Sequence, residues 1–302
     1  MHVHIILNPR ADRGRALQLK DKLLAWGQGL GRLTLETTAR PGHAAELAQQ
    51  AAAAGCDVVA AAGGDGTIHE VINGLVGGGY LETTLGVIPI GSGNDFAYAF
   101  GLPLADPQAA LQRIFSGAPQ PIDLALLTDD RGRRLVVDNA VGIGFDAAVA
   151  VEASAITRFY GFVAYLVATL RVLAMHYDRP QLTIRYDNQS LQQRAIMMTI
   201  GLGPRTGGGF LITPAAQHND GLLDSCLVDP VSRLTILRLL PRVMKGTHVT
   251  SPHIKMLRHR QVTIQSDAPL AIHTDGEIFA RLQDNVRQVT ISCMPAALHL
   301  VS

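Results

Sequence analysis

The 302-residue sequence has three cysteines, one tryptophan and almost no net charge. Cys56, Cys226 and Cys293 lie far apart and are odd in number. A disulfide framework and a cysteine metal site are therefore not expected, and each reads as a small buried hydrophobe. The 11 histidines show no metal-ligand spacing with Cys or Asp. A formal net charge of +1 argues against nucleic acid as partner, which requires a strongly basic face. No G-x-x-x-x-G-K-[ST] loop occurs, so no P-loop lysine is available to hold phosphate. No apolar run of about 20 residues is free of charge. The nearest, Ile156 to Met175, carries Arg158 and Arg171 and contains Gly161, and reads as a buried or interfacial helix. The N-terminal apolar run is short and has no basic flank, so it reads as a strand rather than a signal peptide. A reducing cytoplasm fits these absences. Peripheral contact with the inner membrane face through Arg158 and Arg171 is compatible with them.

What is present describes a globular protein: 47% hydrophobic and 17% charged residues, in a chain long enough for two cores. The first ~120 residues alternate strand and helix patterns, which implies a largely parallel sheet covered by helices. Strands are expected at Val3–Leu7, Leu33–Thr37, Val58–Ala62 and Thr84–Pro89. Helices are expected at Ala16–Leu24 and Ala44–Ala53, from the third strand to about Leu75, and at Pro107–Ser116. From Ile122 onward, short strand-like runs dominate and read as an antiparallel sandwich. These are Asp123–Leu127, Leu135–Val141, Leu182–Tyr186, Gln193–Ile200, Leu223–Val228, Val262–Ser266, Leu270–His273 and Val289–Ile291. Helical blocks at Ala147–His176 and Arg233–Met244 interrupt them.

The run Val58 to Asn73 carries the most information. An apolar strand ends in Gly63-Gly64-Asp65-Gly66-Thr67, and a helical pattern begins at once with Ile68, Val71, Ile72 and Leu75 on one face. Glycines let backbone N–H groups approach an anion, and a helix N-terminus adds partial positive charge, so the turn is a candidate phosphate cradle. A second glycine turn, Gly91-Ser92-Gly93-Asn94-Asp95, follows another strand. Ligands collect at such strand ends in open α/β sheets.

The first turn resembles the signature shared by diacylglycerol kinases, sphingosine kinases, NAD kinases and phosphofructokinases. Further segments resemble bacterial soluble lipid kinases in the same order. Asn8-Pro9 closes the first strand, and Gly91–Ala97 resembles G-T-x-N-D-[FL]-A. Asn139–Ala147 resembles N-x-x-G-x-G-F-D-A. The stretch from Gly207 through Pro214 to Asp224 resembles G-G-G…P…[DN]-D-G-L-L-D, and Asp275-Gly276-Glu277 resembles D-G-E. On these motifs the chain is identified as a member of the diacylglycerol kinase catalytic-domain family. The resemblance implies a Rossmann-like α/β domain over residues 1–122, to which about 295–302 return, and a mainly antiparallel β-sandwich lipid-substrate domain over 123–294.

It also implies an ATP- and Mg²⁺-dependent enzyme that phosphorylates a lipid hydroxyl, with the nucleotide in a cleft between the domains. Asn8, Thr38, Gly63, Gly64, Asp65, Gly66, Thr67, Ile68, His69, Ser92 and Asn94 fall where the family holds ATP. Asp275 and Glu277 fall at the general-base motif, with Asp65 a further candidate for base or metal contact. Taken alone, Asp275-Gly276 also reads as a two-residue hairpin turn. The Asn219-Asp220-Gly221 loop corresponds to one that holds a structural Mg²⁺ through the Asp220 carboxylate and the carbonyls of Gln217 and Leu222. Two departures stand out. Leu202-Gly203-Pro204-Arg205-Thr206 replaces the usual Asn-Gly, and Ala215-Ala216 follows Pro214 where an acid is common. The aromatic-rich block Ala147–His176, with Phe159, Tyr160, Phe162 and Tyr165, either walls an acyl-chain cleft or fills the sandwich core. The competing readings are an NAD kinase-like enzyme and a binding module without catalysis. The acceptor and the oligomeric state are not legible.

Overall fold

A computed structural model describes residues 1–156, 161–175 and 179–301. Arg158, Phe159, Tyr160 and His176 lie outside the described residues. The chain divides into two compact units, Met1–Asp123 with Ala296–Ser302, and Leu124–Pro295.

The first unit is built on β1 (His2–Leu7), β2 (Arg32–Thr37), β3 (Val58–Gly63) and β4 (Thr84–Pro89), in the order β2-β1-β3-β4. All its pairings are parallel, and Leu300 near the C-terminus extends the sheet beside Leu85. The central strands β3 and β4 are buried along their whole length, as expected when helices cover both faces of a parallel sheet. The helices are α1 (Lys20–Trp26), α2 (His43–Ala53), α3 (Asp65–Gly77), α4 (Asp95–Ala99) and α5 (Pro107–Ser116). The helix expected at Ala16–Leu24 is instead a 3₁₀ stretch, Ala11–Leu19, followed by α1. Left-handed Asp12, Arg13 and Gly14 break its start. Helices α2 and α3 approach closely enough that a Cβ on Gly74 would lie 2.4 Å from the Ala45 carbonyl oxygen. The Glu70 carboxylate of α3 accepts the N–H groups of Gly42 and Ala44, and so caps α2 from a neighbouring element.

The second unit is a sandwich of antiparallel strands. One sheet runs β12-β11-β10-β7-β14-β15: Ile254–His259, Leu223–Val228, Met197–Gly201, Ala140–Gly144, Ile272–Thr274 and Glu277–Ala280. The other layer pairs β13 (Gln261–Ser266) with β8 (Gln181–Tyr186) and with the Gln288–Ser292 part of β16 (Gln288–Val301). There β8 pairs with β9 (Gln189–Arg194), and β5 (Pro119–Asp129) with β6 (Arg134–Val137). Val141, Met198, Ile200 and Ile272 of the first sheet meet Leu182, Ile184, Val262 and Ile264 of the second in one core.

Two predicted strands are each divided. Leu135–Val141 breaks at Asp138-Asn139 into β6 and β7. Gln193–Ile200 breaks at Ala195-Ile196 as the chain passes from one sheet to the other. The helical block is likewise two helices, α6 (Phe145–Ser154) and α7 (Gly161–Met175). Among the described residues, none of this block joins the sandwich core. Val149, Ala168 and Val172 form their own cluster outside it. A last helix, α8 (Arg233–Met244), begins at Ser232, whose hydroxyl accepts the Thr235 N–H.

Candidate functional site

In the first unit, the predicted phosphate residues gather at the carboxyl ends of the parallel strands. Asn8 follows β1, Thr38 follows β2, Gly63-Gly64 ends β3, and Gly91-Ser92 follows β4. Asn8 Nδ2 donates to Thr67 Oγ1 at 3.0 Å, tying the first strand end to the first turn of α3. Glycine is required at Gly63, because a Cβ there would lie 2.4 Å from Thr67 Oγ1. The two glycine turns touch through their backbones: a Cβ on Gly91 would lie 2.5 Å from the Gly64 Cα. At the start of α3, Gly64 is the N-cap and offers no side chain, so no side chain caps the first helical N–H groups.

The individual side chains divide into presenting and shaping roles. Ser92 is exposed on its turn. Asn94 is buried in left-handed conformation. Its Oδ1 accepts the Gly91 N–H at 2.9 Å and its Nδ2 donates to the Gly91 carbonyl at 2.8 Å, so it closes the second turn. Ile68 is fully buried in the core and its N–H donates to the Gly64 carbonyl. His69 is buried beside Asn73. Asp65 accepts the Phe96 N–H at 3.2 Å and is surrounded by the first N–H groups of α4. Burial, and then the charge of Asp95, push its carboxyl up to about 6 against those N–H groups. Asp65 therefore locks the two glycine turns together.

In the second unit, Asp275-Gly276 is the two-residue turn of the β14–β15 hairpin, with φ of 52° and 87°. Both positive angles are the requirement of a type I′ turn. The turn also holds the junction between β6 and β7. Asp275 Oδ1 accepts the N–H groups of Asn139 (2.9 Å) and Ala140 (2.8 Å), and Oδ2 accepts that of Asp138 (3.2 Å). This clamp is what interrupts the predicted strand Leu135–Val141. Asn139 in turn donates from Nδ2 to the Arg205 carbonyl, and its own carbonyl accepts the N–H groups of Leu202 and Gly203. The unusual Leu202–Thr206 segment is thus fastened to the Asp275 turn. Glu277 is exposed at the start of β15.

Below the turn lies a cluster that composition and spacing do not reveal. Buried Asp146 accepts the Thr199 hydroxyl and stands 3.5 Å from His273 Nε2. Burial raises the Asp146 carboxyl, but the charge and hydrogen bonds of His273 and the Thr199 hydroxyl outweigh it and hold it below the usual carboxylate range. His273 Nδ1 faces the Gly276 N–H at 3.4 Å, so the cluster reaches the turn. Only glycine fits beside it: a Cβ on Gly142 would lie 2.1 Å from His273 Nε2.

Asp146 also lines an apolar cavity of about 90 Å³ bounded by Phe145, Tyr165, Met197, Phe210 and Val243. Cys226, another wall residue, is buried and its thiol is pushed up to about 12, which keeps it neutral. Tyr165 connects cavity and turn, since its hydroxyl would lie 3.0 Å from a Cβ on Gly276.

The expected Mg²⁺ loop carries a different cation. Asp220 Oδ1 accepts the Leu222 N–H at 3.0 Å, and Oδ2 pairs with the Arg258 guanidinium. Arg258 also stands 3.5 Å from Asp224, whose carboxyl burial pushes up. Gln217 is exposed nearby in the chain. With both Asp220 oxygens engaged and alanines at 215–216, the residues as arranged do not fit a metal ion held through that carboxylate. The cross-strand register Asp224↔Arg258 brings the arginine there. That pairing is visible in sequence only once β12, which the strand pattern missed, is placed.

Comparison with known proteins agrees with the motif reading. The diacylglycerol kinase catalytic domain model matches residues 2–127, and the YegS C-terminal NAD kinase beta sandwich-like domain model matches residues 139–302. The chain is 30% identical over 300 residues to a diacylglycerol kinase of Mycobacterium tuberculosis, covering 99% of this chain and 94% of the relative. It is 29% identical over 278 residues to a diacylglycerol kinase of Bacillus subtilis, covering 90% and 88%. A crystal structure of a diacylglycerol kinase from Bacillus anthracis superposes with a TM-score of 0.73 over 99% of this chain and 96% of that one. At 21% identity this likeness speaks to the fold alone. The two-unit architecture and these matches define a kinase. The chain belongs to the diacylglycerol kinase catalytic-domain family, with a YegS-type second domain.

Proposed function

We propose that the protein transfers the γ-phosphate of ATP to the hydroxyl of a glycerolipid such as diacylglycerol. The observation that carries this reading is the apolar cavity of the second unit, joined through Tyr165 and the Asp146–His273 pair to the Asp275-Gly276-Glu277 turn. Acyl chains bring apolar surface that such a cavity shields from water. The described α6–α7 residues support a wall rather than core filling.

In this reading the glycine turns of the first unit and the N-terminus of α3 hold the nucleotide phosphates, with the hydroxyls of Thr38, Thr67 and Ser92 as further donors. Mg²⁺ arriving with ATP neutralises charge on the transferred group and is held chiefly by the phosphates. Glu277, exposed and free to reach a hydroxyl, takes the proton as that oxygen attacks the γ-phosphorus. The bond from the γ-phosphorus to the bridging oxygen breaks, and ADP and a phosphate monoester leave. Asp275, clamped by three N–H groups, fixes the turn that presents Glu277.

Labelled phosphate transfer from ATP to a micellar panel of diacylglycerol, monoacylglycerol, phosphatidylglycerol and a sphingoid base tests this, with NAD in parallel. Label on a glycerolipid supports the proposal. Label on NAD alone replaces it with the sister activity, and ATP binding without transfer supports a binding module.

A further inference from the structure

The 37 residues from Pro230 to Ser266 contain no Asp or Glu and seven Lys or Arg, in a chain whose formal net charge is +1. Helix α8 lies at the start of this run and is two-sided. Ile236, Leu239, Leu240 and Val243 face inward and line the apolar cavity. The opposite face, at i, i+3, i+4, i+7, i+10 and i+11, carries Leu234, Leu237, Arg238, Pro241, Met244 and Lys245, and every one of them is exposed. Leu234 is 56% exposed, Leu237 40% and Met244 42%, which is unusual for three large apolar side chains on one helix face. Among the described residues, Arg233, Arg238 and Lys245 have no carboxylate partner. By contrast, Arg171 of α7 is paired with Glu152 at 2.9 Å. Arg171 is therefore a poor lipid-headgroup contact, and Arg158 lies outside the described residues.

We propose that the outer face of α8 docks on an anionic lipid bilayer. Exposed leucines flanked by uncompensated basic side chains are the pattern of a helix lying in the membrane interface, apolar groups among the acyl chains and cations among the headgroups. A nucleic acid would match the charge but not the leucines. The proposal rests on the lipid-acceptor reading for its purpose: the same helix that meets the bilayer forms a wall of the cavity that takes the substrate. Each basic residue near an anionic surface strengthens binding by roughly fivefold.

Flotation of the whole protein with vesicles of phosphatidylcholine alone, and of phosphatidylcholine with 30% phosphatidylglycerol, tests the docking. The wild type is expected to float with the anionic vesicles and to be released by high salt. The Arg238→Glu/Lys245→Glu variant should lose at least 20-fold in partitioning, and Leu234→Gln/Leu237→Gln/Met244→Gln at least tenfold. Both should phosphorylate a short-chain, water-soluble diacylglycerol at the wild-type rate, because none of these residues lines the cavity. Equal flotation of wild type and variants overturns the proposal, as does tighter binding to duplex DNA than to anionic vesicles in the same salt. Wild-type flotation that the variants lose, in a protein that phosphorylates no lipid, leaves the docking standing and removes the acceptor reading.

Discussion

Replacing Asp275 by Asn keeps the shape of the turn and weakens the clamp. In the native protein one carboxylate accepts three backbone N–H groups, from Asp138, Asn139 and Ala140. Asparagine keeps one acceptor oxygen, which can retain the Asn139 and Ala140 donors. Its amide NH₂ then faces the Asp138 N–H, donor against donor. One charge-assisted hydrogen bond is lost, at about 1.5–3 kcal/mol, and the other two fall from charged to neutral strength. The sum is roughly 3–5 kcal/mol, a large fraction of the stability of a domain. At about 2–4 °C per kcal/mol for a unit of this size, the melting transition of the second unit should fall by roughly 10 °C. Calorimetry with and without ATP checks this, and ATP should still bind because the glycine turns belong to the first unit. A drop of less than about 3 °C would refute the clamp, and with it the reason given for the break between β6 and β7.

Three further outcomes follow from the same geometry. Asp65 is raised to about 6 from 3.8, so the folded state holds its proton more tightly than the unfolded chain. Its contribution is therefore present below about pH 4, is lost as pH rises to about 6, and amounts to roughly 2–3 kcal/mol. Asp65→Asn, which keeps the acceptor for the Phe96 N–H, should flatten that slope in denaturant melts taken across pH 4–7, and an unchanged slope would contradict the assignment. Gly142→Ala places a methyl 2.1 Å from His273 Nε2 and 2.5 Å from Asp146 Oδ2. It should destabilise the protein by about 1–3 kcal/mol and lower lipid phosphorylation while nucleotide affinity is unchanged. In the absence of nucleotide, chelation of Mg²⁺ should leave the melting temperature within error, because Arg258 already balances Asp220 and Asp224. Arg258→Met should lower it by a few degrees, since the 4%-exposed Asp224 side chain loses its ion pair with Arg258.

The parts of the molecule legible in sequence are those set by local rules. β3, its glycine turn and α3 announce themselves because the apolar run, the close approach at Gly63 and the helical period fall within about 20 consecutive residues. β4, α5 and α8 match their expected limits for the same reason. The failures are long-range. The break at Asp138-Asn139 is imposed by Asp275, more than 130 residues away. The break between β9 and β10 sits inside an unbroken strand pattern, because residues 193–200 hold no Gly or Pro and only the change of sheet separates the halves. β12 is hidden in the sequence because it is an edge strand whose exposed Lys255 and Arg258 fall on opposite faces and break the alternation. Among the site residues, motif position identified Asp65 and Asn94, but not that their side chains are engaged in holding the turns. The Asp146–His273 pair and the Arg258 contact depend on sheet register, which no spacing in the chain discloses.

The most direct test of the central claim is the kinetics of Glu277→Gln with ATP and micellar diacylglycerol. If Glu277 takes the proton from the attacking hydroxyl, kcat should fall by about 10²–10⁴-fold while ATP affinity and melting temperature stay at their wild-type values. A variant that turns over diacylglycerol at near the wild-type rate would contradict the assignment and return the base to another carboxylate.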